Sequence, residues 1–165
     1  CDFLTPNERI VTIEDIAELR LNHQHVLRLE ARPASPDGNQ EISTRSLVRT
    51  ALRLRPDRLI IGEVRGAETL DMLAAMNTGH SGSMSTIHAN SSRDAVRRVE
   101  SLVLQHAANW SRDVVQDHVS SSINAIVHVA RHLNGARSVE EILLLDGEQS
   151  FFLVQHGQII SEPSV

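Results

Sequence analysis

Apolar residues along this chain come in short runs that stop at acids, separated by stretches where they recur every three or four positions. The clearest run is Arg58-Leu59-Ile60-Ile61-Gly62-Glu63-Val64-Arg65-Gly66, bounded by Pro56-Asp57 before it. An unbroken apolar run of that length predicts a strand covered on both faces, because a half-exposed strand would alternate. Residues 8–15, Glu-Arg-Ile-Val-Thr-Ile-Glu-Asp, repeat the design: β-branched and apolar, then two acids. Residues 25–31 alternate and predict a strand with one solvated face, and residues 32–40, with two prolines, an Asp-Gly and an Asn, predict a loop. Helical spacing of Leu47, Val48, Ala51 and Leu52 predicts a helix over 46–54, which Pro56 ends. A second helix is expected over 68–78, with Leu70, Leu73 and Ala74 on its inner face and Gly79 as its C-cap. Residues 83–89 predict a strand whose polar side chains face a cavity or solvent.

Further along, Ser91 and Asp94 have capping-box spacing ahead of Ala95, Val96, Val99, Leu102 and Val103, the strongest helix signal in the chain. Ser111 starts another helix, with Trp110 placed to staple against Val115 and with Val114, Val115, Val119 and Ile123 as its buried side. Strands are expected at 125–129, 139–145 and 151–155, with a turn at Asp146-Gly147 and a tail that frays after Ile160. Met72, Met76 and Met84 read as core fillers, Arg97 and Arg98 as a solvated helix face, and Glu140-Glu141 as the opening of a strand. Strands and helices alternate through the first two thirds, so the expected fold class is α/β. It is a single domain over 1–165, with a mostly parallel sheet, flanking helices and a C-terminal antiparallel region.

Composition narrows what such a domain does. At 165 residues, with 41% hydrophobic and 22% charged residues, the chain is long enough to bury a core without staples. No apolar run approaches the roughly 20 residues of a membrane span, so any work at a membrane is by docking. A net charge of −5 argues against nucleic acid, whose binding face would be basic. All 16 basic residues are arginine; there is no lysine. The lone Cys1 forms no internal disulfide, which points to a reducing compartment, and a chain beginning at Cys is expected to be a piece of a longer protein.

The chemistry concentrates where strands end in acids. If the strands carrying Glu14-Asp15 and Glu63 are neighbours, three carboxylates meet at the carboxyl rim of the sheet, where open α/β sheets bind ligands. That rim suits a hydrated Mg²⁺, which takes one or two carboxylates plus phosphate oxygens and leaves a Glu to orient water. Gly62, Gly66, Gly79 and Gly82 would let a ligand approach the backbone. Two other chemistries fit less well. Gly79-His80-Ser81-Gly82 brushes against a serine-hydrolase elbow but fails at Ser83 and sits between a helix and a strand in the wrong order. His80, His88 and Asp71 lack the spacing of a zinc site.

Three segments in order carry a family resemblance. Thr12-Ile13-Glu14-Asp15 with Glu18-Leu19 resembles the aspartate box of bacterial secretion and pilus-assembly ATPases. Residues 56–65 resemble their Walker B segment, and residues 79–90, Gly-His-Ser-Gly-Ser-Met-Ser-Thr-Ile-His-Ala-Asn, resemble their histidine box. Leu54-Arg55-Pro56-Asp57 and Ala75-Met76-Asn77-Thr78-Gly79-His80 are most similar to the tight-adherence (Flp) pilus branch, CpaF-like. The resemblance implies a RecA-like core of a homo-hexameric ATPase. Such a motor uses ATP and Mg²⁺ to power secretion or pilus assembly from the cytoplasmic face of the inner membrane, docked on inner-membrane platform proteins. It casts Glu63 as the glutamate that activates water, Glu14 and Asp15 as holders of the Mg²⁺ water shell with Glu63, and His88 as a γ-phosphate sensor. Arg65 and Arg20 become candidates for phosphate or subunit contacts, where a planar, permanently charged fork serves. The family's P-loop, with its lysine, is missing: the chain starts after the place where it should stand. The core is therefore expected to be incomplete, and the isolated chain to neither bind ATP tightly nor hydrolyse it. The alternative is a non-catalytic assembly or binding module derived from that fold.

Overall fold

The computed structural model describes residues 4–36, 38–147 and 149–160; Cys1 and the tail after Ile160 lie outside them. The chain divides into two compact units, Cys1–Ile87 and His88–Val165, each built on its own sheet.

In the first unit β1 (Ile10–Glu14) is buried at every position, as its β-branched, apolar run predicts. It pairs in parallel with β2 (Val26–Glu30) on one side and β3 (Arg58–Ile61) on the other, and β4 (Met84–Ser85) completes the order β2-β1-β3-β4. Parallel neighbours need crossovers, and α1 (Thr44–Leu52) and α2 (Glu68–Met76) supply them between β2 and β3 and between β3 and β4. The core joins Ile10, Val11, Ile13, Leu59 and Ile61 of the strands to Val48 and Ala51 of α1 and Met72, Leu73 and Ala75 of α2. Asp71 ties the helices together, accepting from Nε of Arg45 and of Arg49 at 2.7 Å each.

Several local expectations shift. α1 begins at Thr44, two residues early, because the Ser43 hydroxyl caps it by accepting from the Ser46 amide. On α2, Met72 and Ala75 take the core positions and Ala74 is exposed; Asn77 is the C-cap, and Gly79 follows at φ +91°. The strand expected over 83–89 shortens to Met84–Ser85, since the Thr86 side chain and carbonyl turn to the Gly62–Val64 backbone. Met84 is 56% exposed and fills no core. β3 ends at Ile61, so Glu63 stands in the turn beyond the strand.

In the second unit Ser91 and Ser111 cap α3 (Ser92–His106) and α4 (Arg112–Ser122), their hydroxyls accepting from the Asp94 and Val114 amides. Arg97 and Arg98 are exposed, and Arg97 pairs with Asp94 across one turn. Val115 and Val119 are buried while Val114 faces out, and Trp110 meets His118 edge-on at 5.2 Å between ring centroids. β5 (Ala125–Arg131), β6 (Arg137–Asp146), β7 (Gln149–Gln155) and β8 (Gln158–Ile159) form an antiparallel meander. β8 hangs on a two-residue turn, His156 at φ 52° and Gly157 at φ 72°, the left-handed pair that tight hairpins favour. No helix among the described residues is long and apolar enough to cross a membrane.

Glu141 does more than open a strand. Its Oε2 accepts the amide of Ser92 at 2.7 Å and the Ser92 hydroxyl at 2.6 Å, joining β6 to the start of α3. The Ser92 hydroxyl, with lesser help from the Ser92 amide and from His128 and His156, pulls the Glu141 carboxyl below its ordinary value of 4.5. A depressed carboxyl contributes stability that is complete above the unfolded value and is lost as pH falls through the folded one. Urea denaturation between about pH 3 and pH 6 is therefore expected to show wild type ahead of Glu141→Gln at the upper end, with the gap closing toward the acid end. A gap independent of pH would show that the carboxylate charge has no part in holding α3.

Candidate functional site

The site is built where β1 and β3 end side by side. Ile13 faces Ile61 in the parallel register, and the Gly62 amide extends the pairing by donating to the Ile13 carbonyl at 2.8 Å. The two acid-tipped strands are thus neighbours. Gly62 is small for a reason of space: a Cβ there would stand 3.1 Å from Cγ of Glu14.

The turn carrying Glu63 is pinned on both sides. From β4's end, the Thr86 hydroxyl donates to the Gly62 carbonyl at 2.5 Å, and the Val64 amide donates to the Thr86 carbonyl at 3.0 Å. Val64 is buried, and on its other side the amides of Arg65 and Gly66 both donate to Oε1 of Glu68 at 2.7 Å. Glu63 itself is half-buried. The Arg65 guanidinium pairs with Oδ2 of Asp15, whose Oδ1 accepts from the Thr44 hydroxyl at 2.7 Å. Asp15, Glu63, Arg65 and Glu68, together with Arg32 and Arg45, line a cavity of about 550 Å³. Space of that size and a mixed set of acids and arginines suit a charged small molecule.

The expected site residues separate into groups. Asp15, Glu63 and Arg65 come together at the cavity. Glu14 lies behind them, 6% exposed, with its Oε1 accepting the amides of Glu18 and Leu19 at 2.9 Å each; it does not line the cavity. Arg20 is exposed and outside the lining. His88 is the first residue of the second unit and is exposed there. His80 and Asp71 have local duties, His80 against the Ala75 carbonyl at 3.1 Å and Asp71 between two arginines. Among the described residues no group of three or more His, Cys, Asp or Glu is placed to hold a metal ion. Asp15 and Glu63, cavity-lining carboxylates without a protein cage, fit Mg²⁺, which keeps several waters and leans on phosphate oxygens, better than they fit zinc or calcium.

Glu68, Thr44 and Thr86 were not singled out from the sequence. An acid in a helix's first turn is common for reasons of the helix dipole, so Glu68 gave no separate signal there. Thr86 could have been found from its place in the histidine-box segment.

The sequence matches the Type II/IV secretion system protein family over residues 1–156. It is 44% identical over 142 residues to a protein named for conjugal transfer in Mycobacterium tuberculosis, covering 86% of this chain and 40% of that protein. It is 39% identical over 155 residues to the type IV secretion system protein PtlH of Bordetella pertussis, covering 87% and 44%. Among solved structures, the VirB11 ATPase of the Brucella suis type IV secretion system aligns with a TM-score of 0.74 at 26% identity, over 86% of this chain and 41% of that one. The DotB ATPase of Legionella pneumophila shares the fold, with a TM-score of 0.57 at 20% identity over 86% of this chain and 38% of that one. The chain spans less than half the length of the relatives it matches.

Proposed function

The chain belongs to the Type II/IV secretion system protein family, and from that premise we propose that it is the C-terminal part of a RecA-like ATPase domain in a hexameric secretion or pilus motor. Both units are taken as parts of that one domain. The observation that carries the proposal is the pinned turn that sets Glu63 beside Asp15 and Arg65 at the carboxyl ends of neighbouring parallel strands. In this position Glu63 orients the attacking water and accepts its proton. Asp15 and Glu63 would hold Mg²⁺ through its waters, and the ion would supply charge neutralisation at the phosphate oxygens. Glu14 would contribute to that shell only through the carboxylate oxygen not held by the Glu18 and Leu19 amides. Arg65 exchanges its pairing with Asp15 for a phosphate oxygen, and Arg20 serves phosphate or a neighbouring subunit. His88 senses the γ-phosphate.

The motor would work at the cytoplasmic face of the inner membrane, docked on platform proteins of a secretion or pilus system. The residues around the Walker B and histidine-box segments favour the tight-adherence pilus branch. Gripping of the β and γ phosphates belongs to a P-loop lysine, and this sequence has no lysine of any kind. The 165-residue chain, assayed alone with Mg²⁺ and ATP, is therefore expected to release no phosphate above the blank and to show no saturable nucleotide binding by calorimetry. Turnover by the pure chain that disappears on Glu63→Gln would overturn the half-site assignment.

A further inference from the structure

We infer that Glu68 is a positioning residue for the proposed hydrolysis. Its carboxylate fills the cup made by the consecutive amides of Arg65 and Gly66, and so fixes the turn that delivers Glu63 and Arg65 to the cavity. This assignment rests on the ATPase proposal above.

Two successive backbone amides aimed at one point form an anion-binding concavity of the kind that holds phosphate in other folds. Here an internal anion occupies it: Oε1 of Glu68 takes both amides at 2.7 Å, the short distance of charge-assisted bonds. Glu68 is only 9% exposed and sits in the first turn of α2, where the helix dipole favours a negative charge. Space is reserved for it, since a Cβ on Gly66 would stand 3.1 Å from Oε2 of Glu68. The Gly66 carbonyl in turn accepts the Thr69 amide at 3.1 Å, so turn and helix start form one hydrogen-bonded piece.

The consequences reach both site residues in opposite directions along the chain. Backward, Glu63 is flanked by Gly62 and Val64, both bonded to Thr86, and the Glu68 carboxylate fixes the next two residues, Arg65 and Gly66, so the segment that follows Val64 holds Glu63 in line. Outward, the Arg65 backbone is set by Glu68 while its guanidinium reaches Asp15. Without the carboxylate both amides lose their acceptor in a half-buried place, and the turn can rotate to find water. Misplacing a catalytic group by about 1 Å costs on the order of 10²-fold in rate while substrate affinity, which depends on other contacts, changes little.

The test has two arms. On the 165-residue chain, ¹⁵N spectra of Glu68→Ala are expected to show the Arg65 and Gly66 amides moved upfield and exchanging faster with solvent, with core amides of Val48 and Leu73 unmoved. Glu68→Gln, whose carbonyl can still accept, should lie between Ala and wild type. On the form of the protein that turns over ATP, Glu68→Ala should lower kcat by roughly 10- to 100-fold with KM within about twofold, and Glu68→Gln should recover part of the loss. Should Glu68→Ala fail to fold, Glu68→Gln at unchanged thermal midpoint carries the kinetic arm. Displaced amides with wild-type kcat, in a preparation where Glu63→Gln is inactive, would overturn the positioning role. Wild-type turnover in Glu63→Gln would instead overturn the ATPase assignment of the site.

Discussion

Glu63→Gln, made in the form of the protein that hydrolyses ATP, is expected to lower kcat by about 10²- to 10⁴-fold, the range for removing a positioned general base. Stability is expected to stay close to wild type, because glutamine keeps the side chain's volume and one carbonyl oxygen as an acceptor. The two halves of this expectation come from one structural fact. The place of residue 63 is set by its neighbours' backbone bonds, Gly62 to Ile13, Val64 to Thr86, and Arg65 and Gly66 to Glu68. Exchanging one carboxylate oxygen for an amide nitrogen changes the chemistry of the side chain and leaves those anchors alone. ATP affinity should also survive, because a base that acts on the attacking water contributes in the transition state and hardly in the ground state. Phosphate-release kinetics under saturating and limiting ATP separate kcat from KM. Retention of wild-type kcat would remove Glu63 from the chemistry and with it the basis for the proposed site.

Both strands that matter here were legible from their apolar runs, but burial on both faces holds only for Ile10–Glu14; in Arg58–Ile61 Leu59 and Ile61 are buried while Arg58 and Ile60 are half-buried. Helix starts at Ser91 and Ser111 were legible for a different reason: a hydroxyl cap is a local device, visible without knowledge of the rest of the fold. What escaped depends on long-range partners. Nothing in the local pattern says that Thr86 bonds the Gly62 carbonyl across 24 positions, or that Glu141 caps α3 from 49 positions away. Side-chain periodicity also misplaced the inner face of α2. Leu73 and Met72 are buried as expected, but Ala75 rather than Ala74 joins them, because small residues give weak hydrophobic contrast. The acids were recognised as a group, but their division of labour was not. Asp15 and Glu63 face a cavity, and Glu14, one residue from Asp15, faces the backbone. β1 ends at Glu14, so Asp15 and Glu63 both stand in the segments that leave the strands, while Glu14, the last strand residue, stays under the Glu18 and Leu19 amides.

Glu14→Ala is expected to destabilise the protein by about 2–4 kcal/mol, and Glu14→Gln by no more than about 1 kcal/mol. The carboxylate is 6% exposed, and its Oε1 is the acceptor for two backbone amides, Glu18 and Leu19. Alanine leaves both donors unpaired in a part-buried place and opens a void against Gly62, whose missing Cβ makes room for Cγ of Glu14. Glutamine keeps an oxygen for the same two amides and fills the same volume, losing mainly the charge-assisted share of the bonds. Urea denaturation of the three proteins measures the difference, and equal destabilisation by Ala and Gln would show that charge, not acceptor geometry, is what β1's end requires. The same pair separates two duties that loss of activity in Glu14→Ala alone would confuse. A Glu14→Gln protein that is stable and turns over ATP normally confines Glu14 to shaping the segment that presents Asp15. A stable Glu14→Gln protein with lowered kcat, recovering as Mg²⁺ is raised, assigns the free carboxylate oxygen to the metal's water shell.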